Sequence, residues 1–264
     1  CHAQVELIAR IAVPGSERDL SKNRAVAAAG VPQNRLGGFG SGIDYDAKSG
    51  RVWSIVDRGP EDGESVYLCR AQAFDLNLAE KKLTLVRTVM LTGGDAGAFV
   101  GDVRALSASQ PEQRRLDPGA IRVTSNGFLI SDEYGPFVDL FDFDGKHVKR
   151  FVPPARFMVP TPADTPEGEM PPNNTSGRQA NRGFEGLAIN SDGSRALAVL
   201  QSPLLQDHAL DARMKRVGVG VRVLDIPLDG TAPREFVYVM DKPKNGISEI
   251  LAIDSERYLV LERD

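Results

Sequence analysis

The sequence predicts an all-β chain: a β-propeller of four-stranded antiparallel blades, with about three and a half blades present. Three observations predict it. A strand–turn–strand segment recurs four times: SGIDYDAKSGRVWSIVDRGP from Ser41, GAIRVTSNGFLISDEYGP from Gly119, EGLAINSDGSRALAVLQSP from Glu185 and EILAIDSERYLVLERD from Glu249. Two further alternating apolar runs follow each of the first three segments. Helix signal is weak, and the one stretch that carries it, 21–29 (SKNRAVAAA), reads equally well as a loop.

Taken in order, each hairpin is closed by turn residues, KSG, SNG, NSDG and DSER. The outer strands of the first unit are SVYLCRAQAFDL and LTLVRTVML. Those of the second are FVDLFDF and KHVKRFV, joined at Asp144-Gly145. Those of the third are VGVRVLDI and REFVYVM. The fourth unit stops two strands in, at LERD, so the chain reads as C-terminally truncated. The N-terminal run VELIARIAV reads as a strand that would complete the last blade. The whole chain, 1–264, is expected to be one partial propeller domain. Within it the Pro-rich stretch 153–181 is an insert whose PP, TP and NN content argues against a packed element.

Bulk composition narrows the function classes. The 264 residues carry a formal net charge of −4 and no Lys/Arg-rich block, which disfavours a nucleic-acid binder. No apolar run approaches the ~20 residues of a membrane span. The two cysteines, Cys1 and Cys69, make neither a disulfide framework nor a CxxC metal pattern. Cys1 reads as the lipid-bearing residue of an exported lipoprotein, as part of a signal-peptide remnant in CHAQ, or as an arbitrary fragment start.

Propeller topology brings the start of each innermost strand and the end of the second strand to one face. The long connections 60–65, 92–116, 153–181 and 202–215 fall on that face, and the insert is expected to form a mobile flap over it. The acids Asp57, Asp132, Glu133, Glu185, Glu249 and Glu262 are expected to ring the same mouth. Converging carboxylates repel, and a hard cation relieves the repulsion. Asp57, Asp132, Glu185, Glu249 and Glu262 are therefore the candidate ligands of a calcium ion. Asp132 and Glu133 are the candidate general acid and base. Arg58, Arg182 and Arg263, in DRG, NRG and ERD, are candidate binders of a phosphorylated substrate, because guanidinium matches phosphate bidentately. The competing reading makes the acids turn caps or partners of adjacent arginines, and makes the arginines ties between blades.

VDRGP (56–60), SDEYGPF (131–137), NRGFEGLAI (181–189), LQSPL (200–204) and LVLERD (259–264) resemble the phytase-like family, named for "esterase-like activity of phytase". The resemblance covers the chain from about Gly37 to its end. It implies a β-propeller, an origin among exported, largely bacterial proteins, and hydrolysis of a phosphoric or carboxylic ester. One motif departs: the family's D-x-E-x-I stands here as DPGAI, with Gly119 in place of the acid.

Other signals carry less. LGGFGSG (36–42) feeds a strand and lacks the GK[ST] ending of a phosphate loop. There is no GxSxG elbow, and His2, His147 and His208 have no zinc spacing. Trp53 reads as core. The sequence thus points to an exported, calcium-assisted hydrolase of a small phosphorylated or ester substrate, periplasmic, outer-membrane-anchored or extracellular. The alternatives are a non-catalytic binding propeller and a sugar-lactonase-like one.

Overall fold

Antiparallel hairpins repeat through the computed structural model, which describes residues 6–26, 30–36, 38, 41–59, 63, 66–105 and 115–264. The first four-stranded sheet holds β1 (Gly42–Asp46), β2 (Arg51–Ile55), β3 (Arg70–Asn77) and β4 (Lys82–Met90), in that spatial order. The second holds β5 (Pro118–Thr124), β6 (Gly127–Asp132), β7 (Val138–Phe141) and β8 (His147–Phe151). The third holds β9 (Phe184–Ile189), β10 (Arg195–Leu200), β11 (Gly220–Pro227) and β12 (Arg234–Val239). A two-stranded hairpin follows, β13 (Gly246–Ala252) with β14 (Tyr258–Arg263). Every paired neighbour is antiparallel. These are three blades and the inner half of a fourth, as the repeat predicts.

The innermost strands touch in the row β1, β5, β9, β13. Ile121 and Leu187, on the two middle strands of that row, are fully buried. Ile43 and Leu251, on its two ends, are half exposed, because each end strand has a neighbour on one side only. Close approach along the row requires a small residue. A Cβ on Gly119 would stand 2.5 Å from the carbonyl oxygen of Glu185, so the glycine of DPGAI is dictated by blade packing. Arg122 on β5 ties the row together, donating to the carbonyls of Ile43 and Ile250.

Apolar side chains fill the spaces between blades. Trp53, Ile55, Phe99, Ile121, Phe128 and Phe141 join the first two, with the Trp53 and Phe128 rings 4.5 Å apart. Leu129, Phe184, Leu187, Val199, Leu224 and Ile250 join the second, the third and the last hairpin. Trp53 is therefore core.

Two expectations are corrected. Residues 6–13 of the N-terminal run form no strand and complete no blade. The segment after it docks on the first blade instead, through a fully buried Asp19–Arg70 pair at 2.5 Å and a bond from Leu20 N to Thr88 Oγ1. Of the stretch 21–29, residues 21–26 are non-helical, and 27–29 lie outside the described residues. So do Cys1, most of the connection 60–65 and residues 106–114.

The insert 153–181 is the second correction. It has no strand, but it is not a loose flap. Buried Glu169 accepts from Arg115 at 2.8 Å and pairs with Arg178 at 2.6 Å. Arg178 is fully buried and also donates to the carbonyl of Tyr134. Asn174 brackets Thr161 with bonds to its N–H and carbonyl. The insert does sit where the topology put it, against the β6 end of the blades.

Candidate functional site

The opening residues of β5 and β9 and the closing residues of β2 and β6 meet at one rim. Asp132 ends β6 and organises it. Its Oδ1 accepts from the N–H groups of Asp117 and Tyr134, and its Oδ2 accepts from that of Gly135, all at 3.0 Å. Both oxygens are thus engaged in turning the chain. Burial raises the Asp132 pKa, while Arg150 and these backbone donors oppose the rise. The carboxylate fixes the residues on either side of it rather than facing outward.

Those residues are Asp117 and Glu133, 1 % and 5 % exposed, linked by a bond from Glu133 N to the Asp117 carbonyl. Glu185 comes alongside because Gly183, in the NRGFEGL segment, lets the chain cross the backbone of Glu133. A Cβ at Gly183 would stand 2.2 Å from the Glu133 carbonyl oxygen. The carboxyls of Glu133 and Glu185 lie within hydrogen-bond reach of each other. The Oε2 of each, and Oδ1 of Asp117, are buried without another hydrogen-bond partner among the described residues.

Two carboxyls in hydrogen-bond contact need a proton between them. Burial pushes Glu133 well above the ordinary carboxyl range, and the charges of Asp117 and Glu185 push it further. Burial does the same to Asp117, with Arg58 opposing and Asp57, Asp132 and Glu185 adding to the rise. The rim therefore disfavours ionisation of Glu133 and Asp117 relative to solvated acids.

Arg58 is the cation set against this cluster. Its Nη1 donates to Asp117 Oδ2 at 3.2 Å and to Asn181 Oδ1. Arg58 and Asn181 also line a cavity of about 500 Å³, whose other walls include Tyr134, Arg104, Asp164 and Glu167. The insert and the connection after β4 roof the cavity, and the acid cluster lies behind Arg58. Arg182 donates to Ser202 Oγ at 3.1 Å, and Arg263 stands 3.9 Å from Glu185 Oε1.

The structure thus gathers Asp57, Arg58, Asp132, Glu133, Arg182, Glu185 and Arg263 at one rim. Glu249 and Glu262 are engaged elsewhere. Glu249 pairs with Arg122 at 2.8 Å and accepts from the N–H groups of Leu187 and Ile250. Glu262 accepts from Tyr238 Oη, Asp241 N and Asn245 Nδ2. The cause is strand geometry. Glu185 is the extra residue of a bulge in β9, skipped between Phe184 and Gly186 in the pairing with β10. In β13 the skipped residue is Ser248, and Glu249 stays in the ladder opposite Leu261. A bulge re-aims a side chain, so two acids that align in sequence point differently. The five carboxylates are not gathered into one calcium shell, because Asp132 and Glu262 have both oxygens engaged in hydrogen bonds and Glu249 turns its Oε1 to Arg122 and to the N–H groups of Leu187 and Ile250. Among the described residues no group of three or more His, Cys, Asp or Glu side chains is arranged to hold a metal ion.

Sequence reasoning missed Asp117, Asn181 and Ser202. The available signal for Asp117 was its place at the head of DPGAI, the motif in which attention went to the missing acid.

Comparison with known proteins gives three findings. The sequence model of a family described as phytase-like, "Esterase-like activity of phytase", matches residues 34–264. An uncharacterized secreted protein of Arthroderma benhamiae is 26% identical over 306 residues, covering 87% of this chain. The chain spans 59% of the length of that relative. Two putative 6-phosphogluconolactonases of known structure align at low similarity. The one from Bacteroides uniformis has 12% identity and a TM-score of 0.33, covering 84% of this chain and 70% of its own. The one from Bacteroides fragilis has 11% identity and a TM-score of 0.35, covering 88% and 72%.

Proposed function

The chain belongs to the phytase-like family, and from that premise we propose that it hydrolyses an ester, phosphoric or carboxylic, at the Glu133–Glu185 rim. One observation carries the reading: two adjacent carboxyls, one of them buried with a raised pKa, in a rim that also holds Arg58, which lines a cavity. A carboxyl that keeps its proton near neutrality is a general acid, and a neighbouring carboxylate is a general base.

In this reading a water attacks the phosphorus or carbonyl carbon and loses a proton to Glu185. Glu133 gives its proton to the departing alcohol oxygen, and the bond to that oxygen breaks. Arg58 and Arg182 steady the charge that develops on the non-bridging oxygens. Asp117 holds Arg58 in place. Asp132 positions both Asp117 and Glu133. Calcium dependence is a separate arm of the assay. The secreted relative supports export of this chain, whether periplasmic, outer-membrane-anchored or extracellular. No helix among the described residues is long and apolar enough to cross a membrane.

The test is turnover of p-nitrophenyl phosphate, p-nitrophenyl acetate and a sugar lactone by wild type and Glu133→Gln, each with calcium and with chelator. We expect wild type to turn over at least one substrate, and Glu133→Gln to lose about 10²–10⁴-fold in rate, the span of general acid–base catalysis. Absence of turnover of all three would favour a binding propeller. Equal rates for the variant would remove Glu133 from the chemistry.

A further inference from the structure

Glu133 owes its place to the residue that follows it. Tyr134 is buried and held at three groups. Its N–H donates to Asp132 Oδ1 at 3.0 Å, and its hydroxyl donates to the Gly101 carbonyl at 2.9 Å. Its own carbonyl accepts from Arg178 Nε at 2.8 Å and from Arg178 Nη2 at 2.5 Å. The last contact is the unusual one. Water or a backbone N–H can satisfy a carbonyl at a turn. Here it takes two donors of a fully buried guanidinium, and burying a charge is costly. Glu169 offsets that cost only in part, because Arg115 shares it.

Arg178 opens a stretch, 178–185, that ends on Glu185. The stretch is fixed to the segment that follows β10. Gln179 Nε2 donates to the Pro203 carbonyl at 2.9 Å, Arg182 Nη1 donates to Ser202 Oγ, and Gln201 N donates to the Gly183 carbonyl at 2.9 Å. From there it grips the second blade at consecutive peptides. Gly183 packs on the carbonyl of Glu133, and Arg178 holds the carbonyl of Tyr134. One piece of chain therefore supplies the partner carboxyl of Glu133 and fixes the main chain that carries Glu133.

Two carboxyls buried side by side disfavour each other, so the pair persists only where the surrounding chain holds it. We propose that Arg178 is a positioning residue for the acid pair: its two N–H donors fix the Tyr134 peptide and so keep the Glu133 carboxyl against Glu185. The effect on turnover rests on the hydrolase reading, but the positioning itself can be read without turnover. Arg178 donates to neither carboxyl of the pair, and its action runs through the backbone. The fork geometry is the essential property, because a lysine supplies the same charge without two fixed donors.

Arg178→Lys tests this directly, since it keeps a positive charge for Glu169 and removes the fork. Asn174→Ala is the control: it loosens the insert by deleting the bonds to Thr161 and makes no hydrogen bond to Tyr134. The readouts are the carboxyl-carbon NMR midpoint of Glu133, the melting temperature, and kcat and KM on whichever of the three test substrates wild type turns over. Arg178→Lys should bring the Glu133 midpoint down toward the ordinary 4.5. It should also lower kcat about tenfold to 10²-fold, the cost of moving a reacting group by about 1 Å, while KM stays within about twofold. Asn174→Ala should melt lower with the Glu133 midpoint in place. Tyr134→Phe, which deletes only the hydroxyl tether, should move the midpoint in the same direction by less, and it serves where Arg178→Lys is too unstable to titrate. An unmoved midpoint in Arg178→Lys or in Tyr134→Phe, or an equal shift in Asn174→Ala, would overturn the positioning role. A midpoint that falls in Arg178→Lys while kcat holds, or in a protein that turns over none of the substrates, would keep the positioning role and reject the hydrolase reading of Glu133.

Discussion

Glu169 and Glu133 are both buried glutamates, 3 % and 5 % exposed. Glu169 meets Arg115 and Arg178. Glu133 meets Asp117 and Glu185. Burial raises both carboxyls, and the neighbours then decide. Around Glu169 the charges of Arg178 and Arg115 and their hydrogen bonds outweigh burial and bring the pKa below its ordinary value. Around Glu133 the negative neighbours add to burial. The same residue type, equally buried, becomes a strut in one place and a group that resists ionisation in the other, and the sign of the nearest charge separates the two.

The comparison is broken most forcefully at the strut. Glu169→Gln would leave two buried guanidiniums without a counter-charge, and we expect a loss of about 3–5 kcal/mol in urea unfolding at pH 7. The loss should shrink in acid. A carboxyl with a lowered folded pKa contributes stability that is present above its unfolded value of 4.5 and disappears as pH falls through the folded value. A variant as stable as wild type at pH 7 would mean that the insert does not depend on its ion-pair knot.

At Glu133 the effect is smaller and opposite. A carboxyl with a raised folded pKa contributes stability that is complete below 4.5 and is lost as pH rises through the folded value. Gln is neutral at every pH and keeps the shape. Glu133→Gln should therefore match wild type in acid and exceed it at pH 7.5, by about 1 kcal/mol, an ordinary size for a point substitution. It should do so while losing activity, the trade expected of a group held for chemistry rather than for the fold.

The architecture was legible because local chemistry repeats. Turn residues at four places, with apolar alternation on either side, determine β1–β2, β5–β6, β9–β10 and β13–β14 without help from distant contacts. The rim was legible only in part. Glu133 and Glu185 follow from strand direction, but Glu249 and Glu262 do not, since a one-residue shift of a bulge decides which way an acid points and leaves no mark in composition. The insert misled in the reverse direction: its prolines read as loose, while the charge that ties it down is Arg115, 54 residues before Glu169.

The most direct test of the account is a carboxyl-carbon NMR titration of Glu133 in the wild-type protein, with Glu169 as internal reference. The account predicts a Glu133 midpoint above the ordinary 4.5 and a Glu169 midpoint below it. Coincident midpoints, or Glu133 titrating below Glu169, would contradict it.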